Sequence, residues 1–296
     1  MDAYRRLLLT SLPSSVKTTY CPPEIDKLRS KAAENSFDGD RTANWLRDLE
    51  AKGTANFDGI TCPTGHRIYV VSDRGSAALL PVLREALRIL TWLSTVPITM
   101  YWWDNPWARS IPGKVDPGPE HVNGGWAIPG IPEVHVYRRE EALKVMIHET
   151  IHARLLDVRA DLVTPVLAQF EARLGRRLWP HLGECYTELF AGFLWSLVNG
   201  HSWSYQLQCS KKQAGQVWAR IHDSRQDEKT NVFAYYILKW VLMQHEEVFF
   251  GRNHSVGRWF AWFEEALPAL EALRRTYKDS EIEQLSLAMS CPTAQG

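Results

Sequence analysis

Apolar residues recur at helical spacing at Leu79, Leu80, Leu83, Leu87 and Leu90, which predicts a helix over residues 76–93. On either side lie two short runs in which β-branched and aromatic residues dominate. Residues 67–71 (Arg-Ile-Tyr-Val-Val) and 98–103, opened by Pro97, read as strands, and residues 133–137 (Glu-Val-His-Val-Tyr) alternate as a third. Before them the chain is polar, with short helices predicted near 23–34 and 40–52, separated by the turn-forming Ser36-Phe37-Asp38-Gly39-Asp40. From Asn105 to Gly130 proline and glycine dominate and the chain reads as loops, with a short strand at Gly124–Ala127. A helix is predicted over 140–157. After it the pattern is helical at 165–174, 182–199, 210–223, 230–249, 256–276 and 281–289. Pro165 reads as a first-turn proline and Gly200 as the residue that ends a helix. The expectation is an α+β fold in three parts: a polar, helical segment over 1–60, a mixed α/β lobe over 61–158, and a mainly helical lobe over 159–296.

Composition narrows the class. With 45% hydrophobic and 23% charged residues, the 296-residue chain has material for a core and none of the bias of a disordered protein. Lysine plus arginine and aspartate plus glutamate both number 34, so no net field favours nucleic acid. No apolar run reaches the ~18 residues of a membrane span, and the amino terminus has only a three-leucine apolar run, too short for a signal peptide. Five cysteines without a CxxC fit neither a disulfide scaffold nor a zinc finger and suit a reducing compartment, so a cytoplasmic protein is expected. The thirteen tryptophans are read as core, with a minority lining a cleft.

One segment carries chemistry. Residues 144–153 contain His148-Glu149-x-x-His152 on a helix that follows a strand. Residues four apart share a helix face, so both imidazoles reach one ion, and Glu149 projects beside them as a general base for an attacking water. Met146, Ile147, Ile151, Leu155 and Leu156 are expected to bury the rest of this helix. A catalytic zinc takes three protein ligands and leaves a position open. Downstream, Glu184 and Glu188 again stand four apart, on a helix otherwise made of Leu189, Phe190, Phe193, Leu194, Trp195, Leu197 and Val198. Carboxylates in such company need partners. One of the two can bind the metal while the other hydrogen-bonds a ligand histidine.

HExxH followed by a helix bearing Glu-x-x-x-Asp/Glu resembles the gluzincins, the thermolysin-like metallopeptidases. Their Asn-Glu-x-x-x-Asp-Ile-Phe-Gly pattern looks like Gly183-Glu184-x-x-x-Glu188-Leu189-Phe190-Ala191 here. The resemblance, covering about residues 123–192, implies a zincin-like fold with the zinc cleft between the two lobes. It also implies one zinc held by His148, His152 and Glu184, with Glu188 supporting a ligand histidine. The match departs at Gly183, where asparagine is usual, and 31 residues separate His152 from Glu184, longer than the common spacing, which keeps Glu188 a rival ligand. Residues 137–141 (Tyr-Arg-Arg-Glu-Glu) are also similar to uncharacterised HExxH proteins of large DNA viruses.

Gluzincins pair extended substrate with an edge strand upstream of the active helix. Gly124, Gly125 and Trp126 are the matching candidates, with a plain loop as the alternative. An oxyanion donor is expected from Tyr235 or Tyr236, with Tyr205, His201, His222 and His245 also available. Asp157, placed one turn beyond His152, either orients a ligand or ends the helix. The leading expectation is a zinc metallopeptidase acting on protein or peptide substrates, with neither nucleic acid nor membrane as a partner. The alternatives are a non-catalytic interaction protein with a relic zinc site and a zinc hydrolase of non-peptide bonds.

Overall fold

The computed structural model describes residues 8–112, 117–157, 160–221, 226–245, 248, 257–277 and 284–286. The chain folds as two compact units, one of residues 2–108 and 123–156, the other of 109–122 and 157–296. Strands are numbered in chain order: β1 Thr19–Tyr20, β2 Asn56–Thr61, β3 Arg67–Ser72, β4 Thr99–Trp103, β5 Ser110–Pro112, β6 Gly125–Ala127, β7 Glu133–Val136 and β8 Gln284–Ser286.

The first unit is built on a six-stranded sheet of order β1-β2-β3-β4-β7-β6. Its middle is parallel: β3 pairs with β4 and β4 with β7, in the register Ile68↔Met100↔Val134 and Val70↔Trp102↔Val136. Because side chains alternate along a strand, these six residues share one face. They pack there with Leu79, Leu83, Leu87 and Leu90 of the helix Ser76–Leu93 and with Ala142, Val145 and Met146 of the helix Ala142–Ala153. Tyr69, Val71, Tyr101 and Trp103 line the opposite face and cover Leu28, Ala32 and Leu46 of the helices Ile25–Ala33 and Arg41–Ala51. The helix Ser76–Leu93 has the predicted bounds. Strands β1 and β2 have no counterpart in the sequence reading. The β2 run, Asn-Phe-Asp-Gly-Ile-Thr, lacks a β-branched stretch, and its glycine serves close approach: a Cβ at Gly59 would stand 2.5 Å from the Cys21 carbonyl oxygen.

The other unit is helical: Ala160–Leu174, Glu184–Val198, Trp203–Ile221, a π turn Phe233–Leu238 that continues as Lys239–Met243, and Gly257–Tyr277. Phe170, Phe233 and Phe263 meet edge to face with ring centroids 5.3–5.7 Å apart, the geometry that aromatic quadrupoles prefer. Gly200 takes φ +73° after the helix Glu184–Val198, and the His201 N–H reaches the Ser196 carbonyl at 2.9 Å, the Schellman arrangement.

Three expectations are corrected. Pro165 lies inside a helix that begins at Ala160, not at its first turn; as the sixth residue it is past the N–H groups that lack a partner in any helix, so the helix forgoes one hydrogen bond there. Within the stretch 281–289, predicted helical, the described residues form β8, antiparallel to β5; the remainder lies outside the described residues. Cys209 is disulfide-bonded, while Cys21, Cys62 and Cys185 are free, so cysteine usage no longer argues for a reducing compartment. Among the described residues no helix is long and apolar enough to cross a membrane.

His135 sits in the second face of the sheet, 1% exposed, stacked on Trp126 at 3.6 Å between ring centroids and flanked by Tyr101 and Trp103. Burial depresses its pKa to about 4, against the partial support of Glu133, whose carboxylate lies 3.1 Å from Nε2. The unfolded chain therefore binds a proton that the folded chain refuses between pH ~6.5 and ~4. The contribution of His135 to stability rises with pH across that window and falls as pH drops through it, by on the order of 3 kcal/mol in all. Denaturant titrations at pH 4 to 7 are expected to give the wild type and His135→Phe, which keeps the ring stack, slopes that differ by this contribution, because every other titrating group, Glu228 included, acts equally in both. An unchanged slope in the variant would assign the acid sensitivity elsewhere.

Candidate metal centre

The helix Ala142–Ala153 has no polar face: every residue but Leu143 is buried, Lys144, His148, Glu149 and His152 included. Such a helix is stable only when packed all round, which here means the sheet on one side and the helix Ser76–Leu93 on another. One turn of helix brings His148 and His152 together, with their Nε2 atoms 3.1 Å apart. Two nitrogens held at ~2.0–2.1 Å from one tetrahedral ion stand about 3.3 Å apart. The imidazole pair thus has the spacing of two ligands.

The helix Glu184–Val198 is apolar except near its start, where Glu184 is half-buried and Glu188 is 1% exposed. His148, His152 and Glu184 form a cluster that could hold a metal ion, with one ligand atom from each lying within 4.8 Å of the others. Two imidazoles and a carboxylate are a donor set that suits zinc. Glu188 is not in that cluster. Its carboxylate instead pairs with the Lys239 ammonium at 3.4 Å, both side chains being at most 4% exposed.

The two tyrosines part company. The Tyr235 hydroxyl donates to Glu184 Oε2 at 3.4 Å, whereas Tyr236 is 1% exposed and its ring lies 5.8 Å from the Lys239 ammonium. Both belong to the π turn, in which the Lys239 N–H bonds the Ala234 carbonyl, five residues back. The start of that turn is fixed by Glu228, whose carboxylate accepts the backbone N–H of Phe233 at 2.6 Å and of Trp179 at 2.8 Å. Burial pushes the Glu228 carboxyl up to about 7.

Gly124 and Gly125 lie at the sheet edge formed by β6, next to β7. A Cβ at Gly125 would stand 2.6 Å from the His135 carbonyl oxygen, 2.7 Å from Val145 Cγ1 and 2.9 Å from Glu149 Cγ. This glycine lets the edge strand rest directly on the side chain of Glu149. Trp126, one residue on, points to the other face and stacks on His135.

Asp157 is placed differently from the sequence reading. The helix ends at Ala153, Leu155 adopts φ +53°, and the Leu156 N–H returns to the Ile151 carbonyl at 3.0 Å. The Schellman position is filled by leucine rather than glycine, so no stop signal marked it. Asp157 therefore lies beyond the helix, and Leu155 and Leu156 are exposed instead of burying it. Cys185, beside Glu184, is fully buried, and desolvation raises its thiol well above the ordinary value, which disfavours the nucleophilic thiolate. Sequence reasoning missed Lys239 and Glu228. For Lys239 a signal existed: a lone lysine in Phe-Ala-Tyr-Tyr-Ile-Leu-Lys-Trp-Val-Leu-Met needs a buried anion.

Comparison of the chain with protein-family models, with curated proteins and with solved structures finds no match.

Gly125→Ala tests the close approach of β6 to Glu149. The added methyl meets backbone oxygen and two side chains below 3.0 Å, so a loss of about 1–3 kcal/mol is expected, in line with overpacking of a filled core. Thermal unfolding of the variant, compared with Gly75→Ala as a control at which φ is −64° and an added Cβ meets nothing within 4 Å, measures it. Equal losses at both sites would mean that the two elements yield without strain.

Proposed function

We propose that this chain is a zinc-dependent hydrolase of peptide bonds with a zincin-like site of the gluzincin type. The observation that carries the reading is the grouping of His148, His152 and Glu184, with Glu149 in the same helical turn as the two histidines. The resemblance in residues 123–192, which rests on the same residues, agrees with it. His148, His152 and Glu184 would hold the ion. Zinc, when bound, supplies Lewis acidity that brings the pKa of a water toward ~7.

Glu149 acts as the general base. Its carboxylate takes a proton from the attacking water as the water oxygen bonds to the scissile carbonyl carbon. The same carboxyl then returns that proton to the amide nitrogen as the C–N bond breaks. Burial to 7% exposure keeps bulk water from competing for the proton. The Tyr235 hydroxyl, which donates to Glu184, is assigned to the oxyanion. The edge strand β6 is assigned to backbone pairing with an extended peptide.

Protein purified free of metal and then reloaded is expected to retain about one zinc per chain by elemental analysis, and His148→Ala to retain almost none. Zinc content near zero in the wild type would sink the reading. Glu149→Gln is expected to keep its zinc and its fold and to lose at least ~100-fold in peptide cleavage, because an amide cannot take up the proton. Digestion of a broad peptide library reads this out. Zinc uptake with no cleavage of any peptide by the wild type would move the chain to the non-catalytic or non-peptide alternatives.

A further inference from the structure

The helix Glu184–Val198 and the stretch Phe233–Met243 meet in matching order. Glu184 faces Tyr235, and four residues on in both segments Glu188 faces Lys239. Of these two rungs the first ends on a residue of the metal cluster, while the second is a charge pair at most 4% exposed. A buried ion pair is rarely the most stabilising way to fill a core, since two apolar residues of similar volume often serve as well or better. Its presence one turn below Glu184 therefore calls for a reason other than stability.

We propose that Lys239 is a positioning residue of the metal centre, acting through Glu188 to set how tightly the site holds zinc. The proposal rests on the zinc reading above. Lys239 fixes the Glu188 carboxylate on the second turn of the helix Glu184–Val198 and balances its charge. The helix start, with Glu184, is thereby held in register against Tyr235. The π turn is part of the device, because its Ala234–Lys239 bond ends at the residue that makes the second rung.

Zinc affinity, measured by competition with a chromophoric chelator on the full chain, tests the proposal, with circular dichroism and the unfolding temperature of the metal-free protein recorded in parallel. Lys239→Met is expected to bind zinc ~10–100-fold more weakly, the range for loss of a group that supports a ligand. Lys239→Arg, which keeps the charge, is expected to recover most of that loss. Adding Glu188→Gln to Lys239→Met is expected to weaken zinc no further, because both changes break one rung; losses that multiply would mean that Lys239 does not act through Glu188, and would overturn the proposal. Should Lys239→Met fail to fold, the double variant, which removes both charges, carries the test: affinity ~10–100-fold below wild type supports the proposal and wild-type affinity refutes it. A purely structural lysine would lower the unfolding temperature of Lys239→Met and leave zinc affinity at the wild-type value, overturning the inference alone. A wild-type chain that takes up no zinc at all overturns the metal reading and this inference with it.

Discussion

Taking a carboxylate, an ammonium or an imidazole out of water costs several kcal/mol unless a partner replaces the lost hydration. The chain accepts that cost on two helices. Ala142–Ala153 buries Lys144, His148, Glu149 and His152, and Glu184–Val198 buries Glu188 completely and Glu184 in part. Neither helix has a polar stripe to turn toward solvent. Their apolar residues can be satisfied by generic packing, as Val145 and Met146 are against the sheet. Their ionisable residues need particular neighbours, and that need selects the arrangement: imidazole against imidazole at 3.1 Å, carboxylate against ammonium at 3.4 Å, carboxylate against phenol at 3.4 Å.

The same need explains why so much of the site was legible beforehand. An HExxH turn and a Glu-x-x-x-Glu turn, each inside an apolar run, announce buried charge, and helical spacing says which members share a face. His148, His152 and Glu184 could be grouped on that basis together with the resemblance. The fold was legible where periodicity was strong. The helix Ser76–Leu93 and strands β3, β4 and β7 all carry unbroken apolar patterns. It was not legible where tertiary contacts overrule local preference. Strand β2 is held by its neighbours rather than by β-branched residues, and the HExxH helix stops at a leucine with positive φ that no propensity marks. The pairing of Cys209 was hidden for a different reason, since widely spaced cysteines say nothing of proximity.

Glycine at position 125 takes a different sense once its surroundings are known. Small residues beside a metal helix can be read as room for a substrate backbone. At Gly125 the space is already used: the absent side chain is where Val145, Glu149 and the backbone of β7 come together. The glycine thus acts on the proposed base rather than on an incoming peptide, by pressing a rigid sheet edge against its side chain. A carboxylate so backed has few rotamers left, and a base that is fixed before substrate arrives loses no entropy in becoming fixed. Any pairing of β6 with a peptide must then use its outer edge, where the backbone is free of β7, while its face remains committed to the helix.

The π turn at Phe233–Leu238 follows from the same logic of committed faces. In an unbroken α-helix each residue advances by about 100° around the axis, so one extra residue in a turn rotates everything downstream by that amount. Downstream of this turn stand Trp240, Val241, Leu242 and Met243, all buried in the helical core, and Lys239, which meets Glu188. In the first half of the turn itself stand Phe233, in the phenylalanine cluster, and Tyr235, at Glu184. A regular helix would keep one of these sets in place and turn the other away by roughly a quarter of a circle. Widening the turn by one residue satisfies both, with Glu228 fixing the start of the segment through the Phe233 N–H. The irregular backbone is thus the means by which one helix serves an apolar core and two carboxylates at once.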